Sequence, residues 1–352
     1  MSTSLLQLFC ATLTGTGFAE TMWLISTSRA ELRLFDDPST ISGGYAILSH
    51  TWSQTPGEET SFQDLQKIVS DCQQTGKNPR DFVSDKVRKC CIQAERDGYR
   101  WVWIDTCCID KTSSTELSEA LNSMFSWYTL SDICYAHLED VPTDDRIKDA
   151  GSAFRKARWH TRGWTLQELL APVIVVFMSK DWQPLGTKKE LSGLLNEITE
   201  IYPDYLTRVR TVLQAPVSER MGWAAYRKTK RIEDQAYCLL GLFDINMPTI
   251  YGEGQRAFQR LQQEIIRQSY DTSLFTWGPD HHDSSDDSIP LSPLENIWST
   301  FHNIEDYGRF LFARSPFDFR GPDIYNTPRL DAKATMQPYL PRQWTGPVRL
   351  IP

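Results

Sequence analysis

The sequence predicts an α/β fold, a parallel sheet flanked by helices and followed by a helical lobe. Two observations carry that reading. Four short, uniformly apolar runs, at about residues 45–49, 101–105, 133–138 and 173–177, alternate with segments of helical periodicity. From about residue 187 the strand-like runs disappear and the pattern is almost all helical. Strand and helix alternating at these spacings imply parallel strands joined by right-handed crossovers.

Each element has its own signal. Residues 1–22 read as an appendage ahead of the apolar Trp23, Leu24 and Ile25. The Gly43-Gly44 turn introduces the first strand. Across residues 81–97, Phe82, Val87, Cys90, Cys91 and Ala94 recur at helical spacing, and Gly98 ends the helix. The run 101–105 is too continuously apolar for a half-exposed strand, so it is expected to be central and parallel. Thr115 and Glu119 open a helix through Leu117, Leu121, Met124, Phe125 and Tyr128. A third strand follows, then a short helix at 163–170 stopped before Pro172, then the fourth strand. Further helices are expected at 187–200, 216–226, 232–241 and 253–269. Met221, Trp223, Ala224, Ile232, Ala236, Tyr237, Leu239, Leu240 and Phe243 should pack that lobe. The chain thus divides into an α/β part at 23–186 and a helical part at 187–278. Residues 279–352 read as linker and irregular tail, beginning with the polar His281-His282-Asp283 stretch.

Composition narrows the function classes. Lys and Arg number 37 against 45 Asp and Glu, a net charge of −8, which argues against a general nucleic-acid binder. No apolar run has the length of a membrane span, and no signal peptide is evident, so a cytoplasmic protein is expected. Eight cysteines in 352 residues are too few for a disulfide scaffold. The pairs Cys90-Cys91 and Cys107-Cys108 read as small buried hydrophobes, and their spacing is not that of a metal site.

Ligands of open parallel sheets bind beyond the carboxyl ends of the strands. The residues there are Ser49, His50, Thr51 and Trp52 after the first strand, and Asp105 to Lys111 after the second. Glu139 and Asp140 follow the third, and Arg158 to Leu169 precede the fourth. Cys107 or Cys108 with His50 as base would make a nucleophile pair, against the alternative of packed thiols. Trp52 and Trp159 lie in loops, where an indole can stack on a ligand. Glu168 stands out. With Arg162 just ahead of its short helix it is expected to stay ionised, facing a cleft shared with His50, Trp52 and Asp105. The competing role is an ion pair with Arg158 or Arg162. Arg231, Glu233 and Asp234 either cap helix ends or reach the same sheet edge.

These segments carry a resemblance. The stretches Tyr45-Ala46-Ile47-Leu48-Ser49-His50-Thr51-Trp52, Trp103-Ile104-Asp105-Thr106-Cys107-Cys108-Ile109-Asp110-Lys111 and Arg162-Gly163-Trp164-Thr165-Leu166-Gln167-Glu168-Leu169 closely resemble the fungal heterokaryon-incompatibility (HET) domain. So do Arg231-Ile232-Glu233-Asp234-Gln235-Ala236-Tyr237-Cys238-Leu239-Leu240-Gly241 and Tyr251-Gly252-Glu253-Gly254, which extends the match over about residues 23–278. The resemblance implies an effector of fungal non-self recognition and programmed cell death. Its partner would be an incompatibility protein or a second copy of itself.

A second resemblance, over about residues 45–180, is to Toll/interleukin-1 receptor (TIR) domains, which implies a TIR-like sheet. In enzymatic TIR domains the glutamate of the motif similar to residues 163–169 serves NAD glycohydrolysis, and its counterpart is Glu168. Gly163 and Thr165 depart from the serine and cysteine usual there. The likeness implies NAD as a substrate rather than a cofactor, with Glu168 catalytic. Ser49, His50, Trp52, Asp105, Arg162 and Trp164 would bind the substrate. The alternatives are a signalling module acting by self-association, and a family member recruited to another reaction such as secondary metabolism.

Overall fold

The computed structural model describes residues 21–277, except 54 and 56, together with residues 312–320. The remainder of the appendage and of the tail, His281 and His282 included, lies outside the described residues.

A seven-stranded mixed sheet forms the centre, in the order β2-β1-β4-β3-β5-β6-β7. Its strands are β1 (Met22–Ser26), β2 (Leu32–Phe35), β3 (Ala46–His50), β4 (Trp101–Trp103), β5 (Ile133–His137), β6 (Val175–Met178) and β7 (Pro184–Thr187). The four strands expected from sequence pair in parallel, β4 with β3, β3 with β5 and β5 with β6. Antiparallel strands extend this core on both sides. β1 pairs with β2 and β4, and β7 pairs with β6. The sheet is therefore wider than the parallel one expected. The strand at 101–105 is also shorter, because the carbonyl of Ile104 turns to accept from the amides of Cys107 and Cys108, at 3.2 and 2.8 Å. That turn takes Asp105 out of the sheet.

Helices α1 (Phe62–Thr75) and α2 (Asp85–Arg96) lie in the connection from β3 to β4, and α3 (Ser114–Leu130) in that from β4 to β5. Helix α1 lacks an expectation above, although Ser61 and Asp64 make a reciprocal cap at its start, a legible helix signal. Helix α3 packs closely on the sheet. Trp103 meets Trp127 and Tyr128 edge-on, each with centroids 5.7 Å apart, and the Tyr128 hydroxyl donates to the Leu48 carbonyl at 2.9 Å. Such pairs combine large buried area with favourable quadrupole geometry.

Between β5 and β6 run the short helices α4 (Ala153–Lys156) and α5 (Thr165–Leu170). The lobe beyond the sheet consists of α6 (Ser192–Thr199), α7 (Pro203–Leu206), α8 (Val217–Gly222), α9 (Asp234–Tyr237), α10 (Leu240–Phe243) and α11 (Arg256–Gln268). It is helical, as expected, but in shorter pieces. Residue 187 ends β7 rather than starting a helix, and Asp244 in the left-handed region, at φ 56°, stops α10. The lobe's expected core residues are buried except Ile232, which is 43% exposed. Residues 312–320 dock on this lobe, where Gln262 exchanges two 2.9 Å hydrogen bonds with the backbone of Ala313 and Phe319 is buried.

Helix α10 reaches α3 through Gly241. A Cβ there would overlap the Phe125 side chain close to its own backbone, so the neighbour cannot swing aside. Gly241→Ala should lower stability by about 1–3 kcal/mol, the usual cost of overpacking. Urea unfolding of the two proteins measures it.

Candidate functional site

The strand order reverses at β3, whose neighbours β4 and β5 both follow it in the chain. The carboxyl edge beside β3 is thus the topological switch point, where such sheets take their ligands. Every residue of β3 is buried. Its last polar side chains must therefore find partners, and they find two sets.

Ser49 belongs to the first set. The Trp159 indole N–H donates to Ser49 Oγ at 2.7 Å, and the Ser49 hydroxyl in turn donates to Glu168 Oε2. Trp159 is buried against His160 and Phe177, so the ligand-stacking role expected for it does not hold. A buried indole N–H needs an acceptor, and Ser49 is that acceptor.

The second set centres on Asp105. Its Oδ1 accepts from His50 Nε2 at 2.9 Å and its Oδ2 from the Trp52 indole at 2.7 Å. Lys111 Nζ lies 3.7 Å from Oδ2 and 4.0 Å above the Trp52 ring. Burial opposes the charge on Asp105. The Lys111 ammonium and the two hydrogen bonds outweigh it and hold the carboxyl well below the usual range. Trp52 itself is 47% exposed, an aromatic face with a cation already on it. Around this set, Lys86 bridges Glu59 at 2.6 Å and Glu139 at 3.4 Å, and Arg158 pairs with Glu139 and Asp140.

Glu168 departs from the expectation of an ionised carboxylate. It is only 6% exposed, and burial pushes its carboxyl up from an ordinary 4.5 to about 8, with the negative charge of Asp105 adding to the effect. The Ser49 hydrogen bond and the charges of Arg227 and Arg162 offset this only partly. No ion pair with Arg158 or Arg162 forms among the described residues. Arg158 is engaged elsewhere, and Arg162 acts on Glu168 only through its charge. At neutral pH the group is mostly a neutral acid. Its helix is held at the far end by Lys188, fully buried, whose ammonium donates to the carbonyls of Leu169 at 2.9 Å and Pro172 at 2.6 Å. Burial lowers the Lys188 pKa to about 7.

Two expected members lie apart from the switch point. Trp164 donates to Asp234, which also accepts from the Tyr251 hydroxyl at 3.0 Å. The Arg162 backbone bridges to Lys228 as an isolated strand pair. Glu233 accepts from the amides of Gly252 and Gly254 at 2.8 and 3.1 Å, and Arg231 stacks over Tyr251. These three acidic and basic residues therefore serve the helical lobe, and only Asp234 touches the α/β part. Cys107 and Cys108 are packed thiols in the turn after β4, where burial pushes the Cys108 thiol far up and removes its nucleophilic character. No cluster of three or more metal-ligating side chains occurs among the described residues.

From sequence, Arg227 belongs to a charged cluster, 227–234, expected to cap helix ends and pair locally, which does not anticipate its link to the helix of Glu168. Its Nη1 donates to the Arg162 carbonyl and to Thr165 Oγ1, both at 3.0 Å, and so fixes the start of the helix that carries Glu168. Gly163 is explained by the same contact of lobe and sheet. A Cβ at that position would lie 2.5 Å from Thr229 Cγ2 and 3.1 Å from Cys238 Sγ, which leaves no room for a serine.

Set on this fold, the motif order has a definite kinship. Residues 45–150 match the family described as Heterokaryon incompatibility protein (HET), which supports a HET domain over that part of the chain. Residues 256–341 match a Domain of unknown function (DUF8212). Over 235 residues the chain is 44% identical to Vegetative incompatibility protein HET-E-1 of Podospora anserina. That alignment covers 65% of this chain but only 17% of the relative's length. No solved structure matches the chain. No helix among the described residues is long and apolar enough to cross a membrane.

The Glu168 carboxyl keeps its proton to a higher pH when folded than when unfolded. Between those two values the unfolded chain binds fewer protons, so this group makes stability fall as pH rises from about 4.5 to about 8. Glu168→Gln keeps the shape and cannot ionise. Denaturant unfolding at a series of pH values should show the variant losing less stability than the parent across that window.

Proposed function

We propose that this chain is the effector part of a heterokaryon-incompatibility system, and that its switch-point edge cleaves the nicotinamide–ribose bond of NAD. One observation carries the reading. A buried carboxyl, that of Glu168, is hydrogen-bonded to Ser49 at the carboxyl end of β3. Asp105, whose charge reaches Glu168, accepts from an exposed indole, Trp52, over which Lys111 lies. Perturbed acids gathered at a ligand-binding edge are what such chemistry requires.

In the reaction the ribose C1′–nitrogen bond breaks and its electron pair leaves with neutral nicotinamide. Water adds to C1′, giving ADP-ribose and one released proton. The ribose passes through an oxocarbenium-like cation, which an ionised Glu168 stabilises more than it does the ground state. Glu168 holds its proton in the free protein, and the positive pyridinium of NAD favours loss of that proton on binding. Trp52 offers a face for a ring of the substrate, and Asp105 acceptors for its hydroxyls.

A second reading is favoured by the enclosure of Glu168, Ser49 and Trp159 by their own neighbours. In it the network is a structural plug and the domain signals by association with an incompatibility partner or with itself. Incubation of the purified full chain with NAD at high protein concentration separates the two. The enzymatic reading predicts free nicotinamide, released faster as pH rises through about 8 because the carboxyl then ionises. It further predicts complete loss in Glu168→Gln, and a raised KM in Trp52→Ala. Absence of nicotinamide from a folded, monodisperse sample leaves the association reading.

A further inference from the structure

Lys111, in the turn after β4, lays its ammonium 4.0 Å above the centroid of the Trp52 ring and 3.7 Å from Asp105 Oδ2. The ring and the carboxylate are both fixed in place. The Trp52 indole N–H donates to Asp105 Oδ2 at 2.7 Å, which sets the plane of the ring, and buried His50 holds Asp105 Oδ1 at 2.9 Å through Nε2. The ammonium is held more loosely. A separation of 3.7 Å is longer than a hydrogen bond, so only charge and the ring quadrupole keep it there. Other cations of this edge are tied more closely. Lys86 lies 2.6 Å from Glu59 and donates to the Thr51 carbonyl at 3.0 Å, and Arg158 donates to Glu139. The Lys111 side chain is 33% exposed and Trp52 47%, so solvent reaches both. An aromatic face with a carboxylate at its rim is a receptor for a cation, and in the free chain it is filled from within.

We propose that the Trp52 face and Asp105 form a binding site for a flat aromatic cation of the pyridinium type, and that Lys111 is its built-in occupant, displaced when the ligand binds. Burial opposes the charge on Asp105, and the Lys111 ammonium is the strongest of the influences that offset it. An incoming cation takes over that duty, so the exchange leaves the carboxylate compensated. A neutral ring of the same shape would push Lys111 away and leave Asp105 without it. The exchange also favours a delocalised cation over the ammonium it replaces. A lysine ammonium is a compact, strongly hydrated point charge on a flexible stem, whereas a pyridinium spreads its charge and covers the indole face. A reduced nicotinamide ring is uncharged, so the site selects the oxidised form. Naming the cation as the pyridinium of NAD rests on the reading under Proposed function, while the exchange of Lys111 for a cation stands without it.

Calorimetric titration of the full chain at constant ionic strength tests the proposal, with 1-methylnicotinamide in one arm and neutral nicotinamide in the other. The first is a pyridinium cation with no ribose to cleave. Expected is saturable binding of the cation at one site per chain, several-fold tighter in Lys111→Ala because the tethered competitor is gone. Binding should be lost when Trp52→Leu is added to Lys111→Ala, and nicotinamide should bind several-fold more weakly than the cation throughout. Both substituted side chains are partly exposed, and circular dichroism checks that the variants keep the fold. Cation binding in Lys111→Ala that is no tighter than in the parent, or equal binding of the two ligands, overturns the proposal. Tightened cation binding in Lys111→Ala without release of nicotinamide from NAD upholds the site and removes only the cleavage reading.

Discussion

A strand buried along its whole length can carry polar side chains only where it leaves the sheet, and each of them must be paired there. Strand β3 imposes that condition on this protein. Its apolar residues fill the centre between β4 and β5, and its polar end, Ser49 and His50, is desolvated with the rest. Unpaired, such groups would cost about 1–3 kcal/mol each. The pairing draws in Trp159 and Glu168 on behalf of Ser49, and Asp105 on behalf of His50 Nε2, while His50 Nδ1 has only the Glu59 carboxylate at 4.0 Å. Lys111 then adds its charge to Asp105, and Lys86 lies beside this set between Glu59 and Glu139.

The same condition shapes the parts farther out. Glu168 has to arrive from a short helix, and that helix is held at both ends by buried cations: Arg227 at its start, Lys188 on its last carbonyls. Gly163 lets the lobe lie directly on the chain ahead of the helix. The lobe and the sheet are thus joined through the element that carries the acid. The buried acid is stabilised as its neutral form, which makes it responsive to a cation brought to the edge.

The four parallel strands were legible because burial on both faces writes a continuous apolar run. The flanking strands were not. Leu32–Phe35 is half-exposed, and Pro184–Thr187 contains both Pro and Gly, so β7 exists through its pairing with β6 rather than through propensity. Grouping of candidate residues at the carboxyl edge was legible from strand ends alone, but their partners were not. Ser49 and Glu168 are 119 residues apart, and nothing local links them. The ionisation of Glu168 was misread for a related reason. Arg162 is near in sequence and suggested a charged carboxylate, whereas the decisive quantity is depth, which sequence spacing does not record. Arg227 was legible only as a member of a charged cluster that caps helix ends, because the helix start it fixes, at Thr165, is 62 residues away in the chain.

The claim on which this account rests is that the Glu168 carboxyl is a neutral acid in the folded protein at neutral pH. Carbon-13 NMR of the side-chain carboxyls, followed across pH and assigned by comparison with Glu168→Gln, measures it directly. The account predicts one glutamate titrating near pH 8, absent from the variant. A Glu168 signal that titrates in the ordinary carboxylate range, near 4.5, would contradict it.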